Sequence, residues 1–184
     1  MSDVLEIAML TATFIYSYLI LYCKKSAFVF GIIASGIMGF TMIKSGVYVQ
    51  AILHYLYVLV YAYSFFSWSK SKKPREISHM TKQLVVIVLI YVVTFTVVMG
   101  YVFSKFGTVY PYIDAFSAAC SMTAVILLSR KVIEHSYIFI ASNIASIFIC
   151  YAMGDYMTIL SFVVYMIFNA TRVYTWENII RRKK

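Results

Sequence analysis

Charge is what this sequence lacks. Asp, Glu, Lys and Arg together make up only 12% of its 184 residues, against about 25% in ordinary soluble domains. Polar side chains are too few to cover a water-soluble globule of this size. Acidic residues are scarcest of all, seven against 16 basic ones. None lies in the middle of an apolar run: Asp114 and Asp155 fall near one end of their runs, Glu134 and Glu177 near the other. Proton relays across membranes use embedded carboxylates, so coupling to a proton has no obvious residue here beyond His54, which could titrate. The three cysteines, Cys23, Cys120 and Cys150, lack metal-ligand spacing and are expected as small apolar fillers. No phosphate-binding loop, no H-E-x-x-H and no locally supported serine–histidine pairing occurs, so ATP-driven, metal-dependent and hydrolytic chemistry have no carrier and no cofactor is expected. Asp3 and Glu6 stand where a cleavable signal would place basic residues, so no such signal is expected.

What is present is apolar length. Hydrophobic residues reach 62%, with a mean hydropathy of +0.84. Seven runs can be read: residues 4–22, 26–43, 47–69, 83–103, 111–129, 136–153 and 156–176. Each is close to the ~20 residues that cross a bilayer as a helix, and only helices or closed barrels satisfy the backbone there. The third and seventh runs are aromatic enough for strands, but barrel strands are only ~9–11 residues long. The fold class expected is all-α integral membrane, with seven transmembrane helices in a single domain spanning residues 1–184. A net charge of +9 would suit nucleic acid, but its distribution does not. Seven crossings put 14 of the 16 basic residues on one side: Lys24, Lys25, Lys70, Lys72, Lys73, Arg75, Lys82, Arg130, Lys131, Arg172, Arg181, Arg182, Lys183 and Lys184. Only Lys44 and Lys105 fall on the other. The positive-inside rule then sets the amino terminus outside and the carboxyl terminus in the cytoplasm.

The chain also repeats itself. ILYCKK at 20–25 resembles ILLSRK at 126–131, SGVY at 45–48 resembles MGDY at 153–156, and Trp68 is matched by Trp176; the last two pairs share an offset of 108. Residues 4–69 and 111–176 therefore read as two three-helix repeats, with 83–103 as a connector. An offset of four spans keeps the repeats parallel, a recognised transporter architecture. It implies a substrate path between the halves rather than an ion-channel filter.

Helical spacing places Gln50, His54, Tyr57, Tyr61, Ser64 and Trp68 on one stripe of the third run. Thr158, Phe162, Tyr165, Asn169, Arg172 and Trp176 share one on the seventh. Lipid does not favour such faces; they should turn inward or line a wet cavity, or else glue helices together. The tryptophans suit interfacial anchors or gates. In the stretch IFIASNIASIF (138–148), Asn143 shares a stripe with Ser136, Phe139, Ser146 and Cys150. The equivalent stripe on the second run is Phe28, Gly31, Ser35, Met38 and Met42, where Gly31, Ser35 and Gly39 leave room for close helix contact. An unpaired carboxamide in a dry site costs a few kcal/mol, so Asn143 needs a partner, either another helix or a substrate. Asp114, with Ser117 and Ser121 on its face, suits a cap for the helix opened by Pro111, or a gate.

Two stretches carry a family resemblance: PYIDAFSAACSMTAVILLSRKVIEHSYIFIASN (111–143) and SGVYVQAILHYLYVLVYAYSFFSW (45–68). Both resemble the PnuC family of bacterial vitamin transporters, and the likeness extends through Gly154, Tyr156 and Trp176 over nearly the whole chain. The resemblance implies a three-one-three fold like that of the SWEET sugar transporters, often a homotrimer, in the bacterial inner membrane with lipid around it. It also implies facilitated diffusion of nicotinamide riboside or a relative such as thiamine or riboflavin, with trapping by a separate cytoplasmic kinase. The family's sixth-span pattern of two tryptophans and an Asn or Asp falls on Ser136, Phe139 and Asn143, of which only the carboxamide is kept. Its second-span tryptophan, glycine and asparagine fall on Phe28, Gly31 and near Ser35, and a third-span glutamine on His54. Asp114 matches the family's Pro-Tyr-x-x-Asp-like opening. The expected binding set is Phe28, Ser35, His54, Tyr57, Tyr61, Phe139, Asn143, Tyr165 and Asn169, with Asp114, Trp68 and Trp176 as gate or cap. Aromatic faces hold a flat ring and attract a cationic pyridinium.

Overall fold

A computed structural model describes residues 3–44, 48–70, 76–154 and 156–182. The side chains of Gln50, Lys70 and Thr158, and residues 45–47, 71–75 and 155, lie outside what it describes. Seven helices follow one another among the described residues: α1 (Asp3–Leu21), α2 (Ala27–Lys44), α3 (Tyr48–Lys70), α4 (Lys82–Lys105), α5 (Pro111–Ser129), α6 (His135–Met153) and α7 (Tyr156–Arg181). Five stretches are long and apolar enough to cross a membrane: Ala27–Lys44, Ala51–Ser69, Lys82–Lys105, Pro111–Ser129 and His135–Met153, while Ile7–Leu21 is a shorter apolar stretch. The protein is an all-α, multi-pass membrane protein.

Local signals fix the boundaries. Thr81 caps α4, its Oγ1 accepting from the Leu84 amide at 3.2 Å. Pro111 opens α5, where its missing N–H costs nothing. Gly154 ends α6 in the left-handed conformation, φ 74°, which an L side chain resists.

The chain forms two compact units, residues 1–76 and 77–184. In the first, α2 packs against both α1 and α3. An aromatic cluster fills the contact: the Tyr61 ring lies 5.3 Å from Tyr16 and 6.2 Å from Phe28, and Trp68 meets Phe28 edge-on at 4.8 Å. Gly31 makes room for it, since a Cβ there would stand 3.1 Å from Tyr61 and 3.2 Å from Tyr16.

In the second unit α4, α5, α6 and α7 each contact the next, and α5 is the most deeply packed, with Ala115, Ala119, Ala124 and Leu128 buried. Val86, Ile90, Val93 and Val97 form an exposed aliphatic stripe on α4, a face solvated by hydrocarbon. Further along the helix Gly100 meets Tyr112; a Cβ there would fall 2.3 Å from the Tyr112 ring. Gly100→Ala is expected to cost about 1–3 kcal/mol in thermal unfolding in detergent, and a Tyr112→Ala partner change should recover most of it.

The α1, α2 and α3 starts at 3, 27 and 48 are matched by α5, α6 and α7 at 111, 135 and 156, a constant spacing of 108. The turns after α1 and α5 match bond for bond. Cys23 and Lys131 both have positive φ, 53° and 56°. Cys23 N–H donates to Ile20 O at 3.0 Å and Lys24 N–H to Leu19 O at 3.1 Å; Lys131 and Val132 do the same to Leu128 and Leu127 at 2.9 and 3.1 Å.

Residues 76–81, between α3 and α4, are fastened to the α5–α6 turn. Ser78 N–H donates to Lys131 O at 3.1 Å and Ser78 O accepts from Ile133 N–H at 3.0 Å. Glu134 accepts from the Met80 amide at 3.0 Å and contacts His79 Nδ1 at 3.0 Å, while Glu177 lies 3.9 Å from His79 Nε2. The start of α4, the α5–α6 turn and the carboxyl end of α7 thus share one end of this unit, where Lys82, Arg130, Lys131, Arg181 and Arg182 also fall.

Candidate functional site

Each unit carries part of the expected residue set, in different surroundings. In the first unit, Phe28 is fully buried and Tyr61 nearly so, both within the aromatic cluster. Ser35 is buried one turn beyond Gly31. His54 and Tyr57 stand apart from that cluster, half-buried and edge-on to each other at 5.5 Å. His54 Nδ1 is shielded from solvent with no hydrogen-bond partner among the described residues. Trp68 is half-buried against Phe28.

In the second unit, Asn169 is committed to the protein. Its Nδ2 donates to Tyr165 O at 2.9 Å, and its Oδ1 accepts from Arg172 Nη1 at 3.1 Å. The same Arg172 Nη1 reaches His135 Nε2 at 3.2 Å. A guanidinium can only donate, so Nε2 is the acceptor and His135 carries its proton on Nδ1, donating to Val132 O at 2.7 Å. Ser136 Oγ completes the group, 3.2 Å from His135 Nε2. Trp176 lies 5.0 Å from His135 with no exposed surface. That overturns its reading as an interfacial anchor: the indole is core, sealing a buried polar cluster. The cluster occupies positions equivalent to Ala27, Phe28, Tyr61 and Ser64 of the first unit, where aromatic packing stands instead. Neither His135 nor its pairing with Arg172 was readable from the stripes, which placed Arg172 beside Asn169 and Trp176 but left out His135.

Asn143 is the contrast. It is 7% exposed, and its Nδ2 has no acceptor among the described residues. Neighbouring hydroxyls do not serve it. Ser117 Oγ lies 3.0 Å from Ser142 Oγ and 2.8 Å from Ser146 Oγ, and Ser142 Oγ donates to Ser117 O at 2.9 Å. These serines form a seam joining α5 to α6 beside the unpaired amide. Phe139, one turn before Asn143, is half-buried with its ring 6.3 Å from His135, and Tyr165 is half-buried with its ring 6.4 Å from Phe162. The capping role expected for Asp114 is not found. The cap position of α5 is Tyr110, with no side-chain cap bond, and Asp114 sits four residues beyond it.

A family model described as nicotinamide mononucleotide transporter matches residues 3–178. The chain belongs to that family. It is a membrane transporter and not an enzyme, and this is the PnuC family that its stretches resemble. A solved structure titled "Crystal structure of the Vitamin B3 transporter PnuC" matches with a TM-score of 0.80 at 18% identity, covering 100% of this chain and 84% of that one. At that identity the match speaks for the fold. No curated protein matches.

Proposed function

We propose that this transporter carries nicotinamide riboside, or a closely related vitamin precursor, across a bacterial inner membrane by facilitated diffusion. A separate cytoplasmic kinase then traps the substrate. The observation that carries the reading is Asn143: a carboxamide on an apolar helix whose Nδ2, shielded from solvent, has no acceptor among the described residues. A buried donor left unsatisfied costs about 1–3 kcal/mol, and a ligand carbonyl, ring nitrogen or ribose oxygen removes that cost. His54 Nδ1 in the first unit is in the same position. Tyr57, Phe139 and Tyr165 are half-buried rings suited to a flat heterocycle. Phe28 and Tyr61, engaged in aromatic packing within the first unit, and Asn169, hydrogen-bonded within the second, are supports rather than contacts in this reading.

The topology belongs to the same proposal. Seven crossings, the amino terminus outside and the carboxyl terminus in the cytoplasm follow from the sorting of basic residues. The three-one-three parallel arrangement, SWEET-like in type, is supported by the constant spacing of 108 between helix starts and by the matched turns at Cys23 and Lys131. A homotrimer is the assembly that the family resemblance implies.

Reconstituted into liposomes, the purified protein should give saturable flux of labelled nicotinamide riboside without ATP or an imposed ion gradient. Absence of flux, together with absence of saturable binding of nicotinamide riboside, thiamine or riboflavin, overturns the reading. Ser136 is buried and bonded to His135, so it supplies no stacking ring where relatives place a tryptophan. Thiamine and riboflavin therefore belong in the competition panel, and preference for either moves the substrate within the family.

A further inference from the structure

Asp114 is the only acidic residue in the five membrane-length stretches. An ionisable group in such a stretch is costly and calls for a partner. Among the described residues no side chain supplies one, and the exposed N–H groups of the first turn of α5, where Asp114 lies, offset only part of the charge. Asp114 is half-buried, its backbone N–H is engaged with Tyr110 O at 3.0 Å, and its carboxylate has neither a hydrogen-bond nor an ion-pair partner among the described residues. The lysine near this end of the unit is otherwise occupied: Lys105 Nζ lies over the Tyr101 ring, 5.1 Å from its centroid.

The position of the carboxylate gives it a direction. Residues three apart adjoin on a helix surface, so Asp114 lies next to Ser117, which meets Ser142 and Ser146 on α6 at 3.0 and 2.8 Å. Asn143, 7% exposed and with an unpaired Nδ2, sits on α6 between those two serines in sequence. One helix pair therefore presents two unpartnered polar groups along a single seam, an anion near its end and an amide donor further in.

We infer that Asp114 is the counter-charge that makes this carrier select substrates whose ring bears a positive charge, such as a pyridinium or thiazolium. The inference rests on the carrier reading of the site. The anion meets the ring's charge at the end of the unit away from Lys82, Arg130, Lys131, Arg181 and Arg182, and the amide holds the ring's substituent deeper in.

The test compares nicotinamide riboside with its reduced dihydropyridine form, which keeps the ribose and carboxamide but is neutral. Binding of both to the full-length protein in detergent is measured by titration calorimetry, for wild type and Asp114→Asn. The variant should bind the cation about tenfold more weakly, the scale of one charge pair at intermediate dielectric. The neutral form should change by less than about twofold, so that the ratio of the two isolates the charge term. Equal weakening of both ligands, no change in either, or wild-type protein that binds the two forms alike overturns the inference and leaves the carrier reading standing. Wild-type protein that binds neither form overturns the inference, and the carrier reading falls with it when flux and binding of thiamine and riboflavin are absent as well. If Asp114→Asn does not fold, Asp114→Glu and Asp114→Ser take its place: the preference must survive in the first and vanish in the second.

Discussion

Replacing Asn143 by alanine is expected to weaken nicotinamide riboside binding about 10- to 100-fold, with the unfolding midpoint unchanged or raised. The affinity loss is that of a buried hydrogen bond to ligand, roughly 1.5–3 kcal/mol. The stability result follows from the same observation. In the free protein the Asn143 Nδ2 is shielded from solvent and has no partner among the described residues, so removing it removes a desolvated donor. Calorimetry and thermal unfolding on the same preparation check both halves. A lowered midpoint with normal affinity in the folded fraction would make Asn143 a helix–helix contact instead.

Arg172→Ala is expected to have the opposite signature, a loss of stability of about 3 kcal/mol or more with little change in the affinity of whatever remains folded. The guanidinium donates to two buried acceptors, His135 Nε2 at 3.2 Å and Asn169 Oδ1 at 3.1 Å, and stranding a buried acceptor costs about 1–3 kcal/mol. The measurement is thermal unfolding in detergent, with ligand titration of the soluble fraction. Intact stability with lost binding would move this cluster into the substrate site. The two asparagines that helical spacing treated as equals thus behave as opposites: one is an engaged strut and the other an open donor.

The helices were legible because hydropathy sets their length and a few residues set their ends. Residues 111–129 were read as the fifth span, and α5 is Pro111–Ser129, since Pro111 marks the start whatever surrounds it. The seventh span was read to 176, whereas α7 runs to Arg181. Hydropathy reports where lipid stops, and a helix can continue into water. Side-chain partners were much less legible. Periodicity put Asn169 and Arg172 on one face, but it could not show that their polar atoms satisfy each other, nor that His135, 37 residues before Arg172, completes the set. Asp114 shows the same division. Proximity to Pro111 suggests a cap; the cap position falls on Tyr110 with no side-chain cap bond, while Asp114 does lie in the first turn of α5, where a carboxylate suits the exposed N–H groups.

The attachment of Ser78 to Lys131 and Ile133 is made wholly of main-chain atoms. Any residue other than proline at 78 can supply the same donor and acceptor. A strap of this kind is written in chain geometry rather than in spelling. Relatives could fasten the lead-in to α4 in the same way while sharing no letters there, and a comparison of alphabets would pass over a joint that two main-chain hydrogen bonds hold.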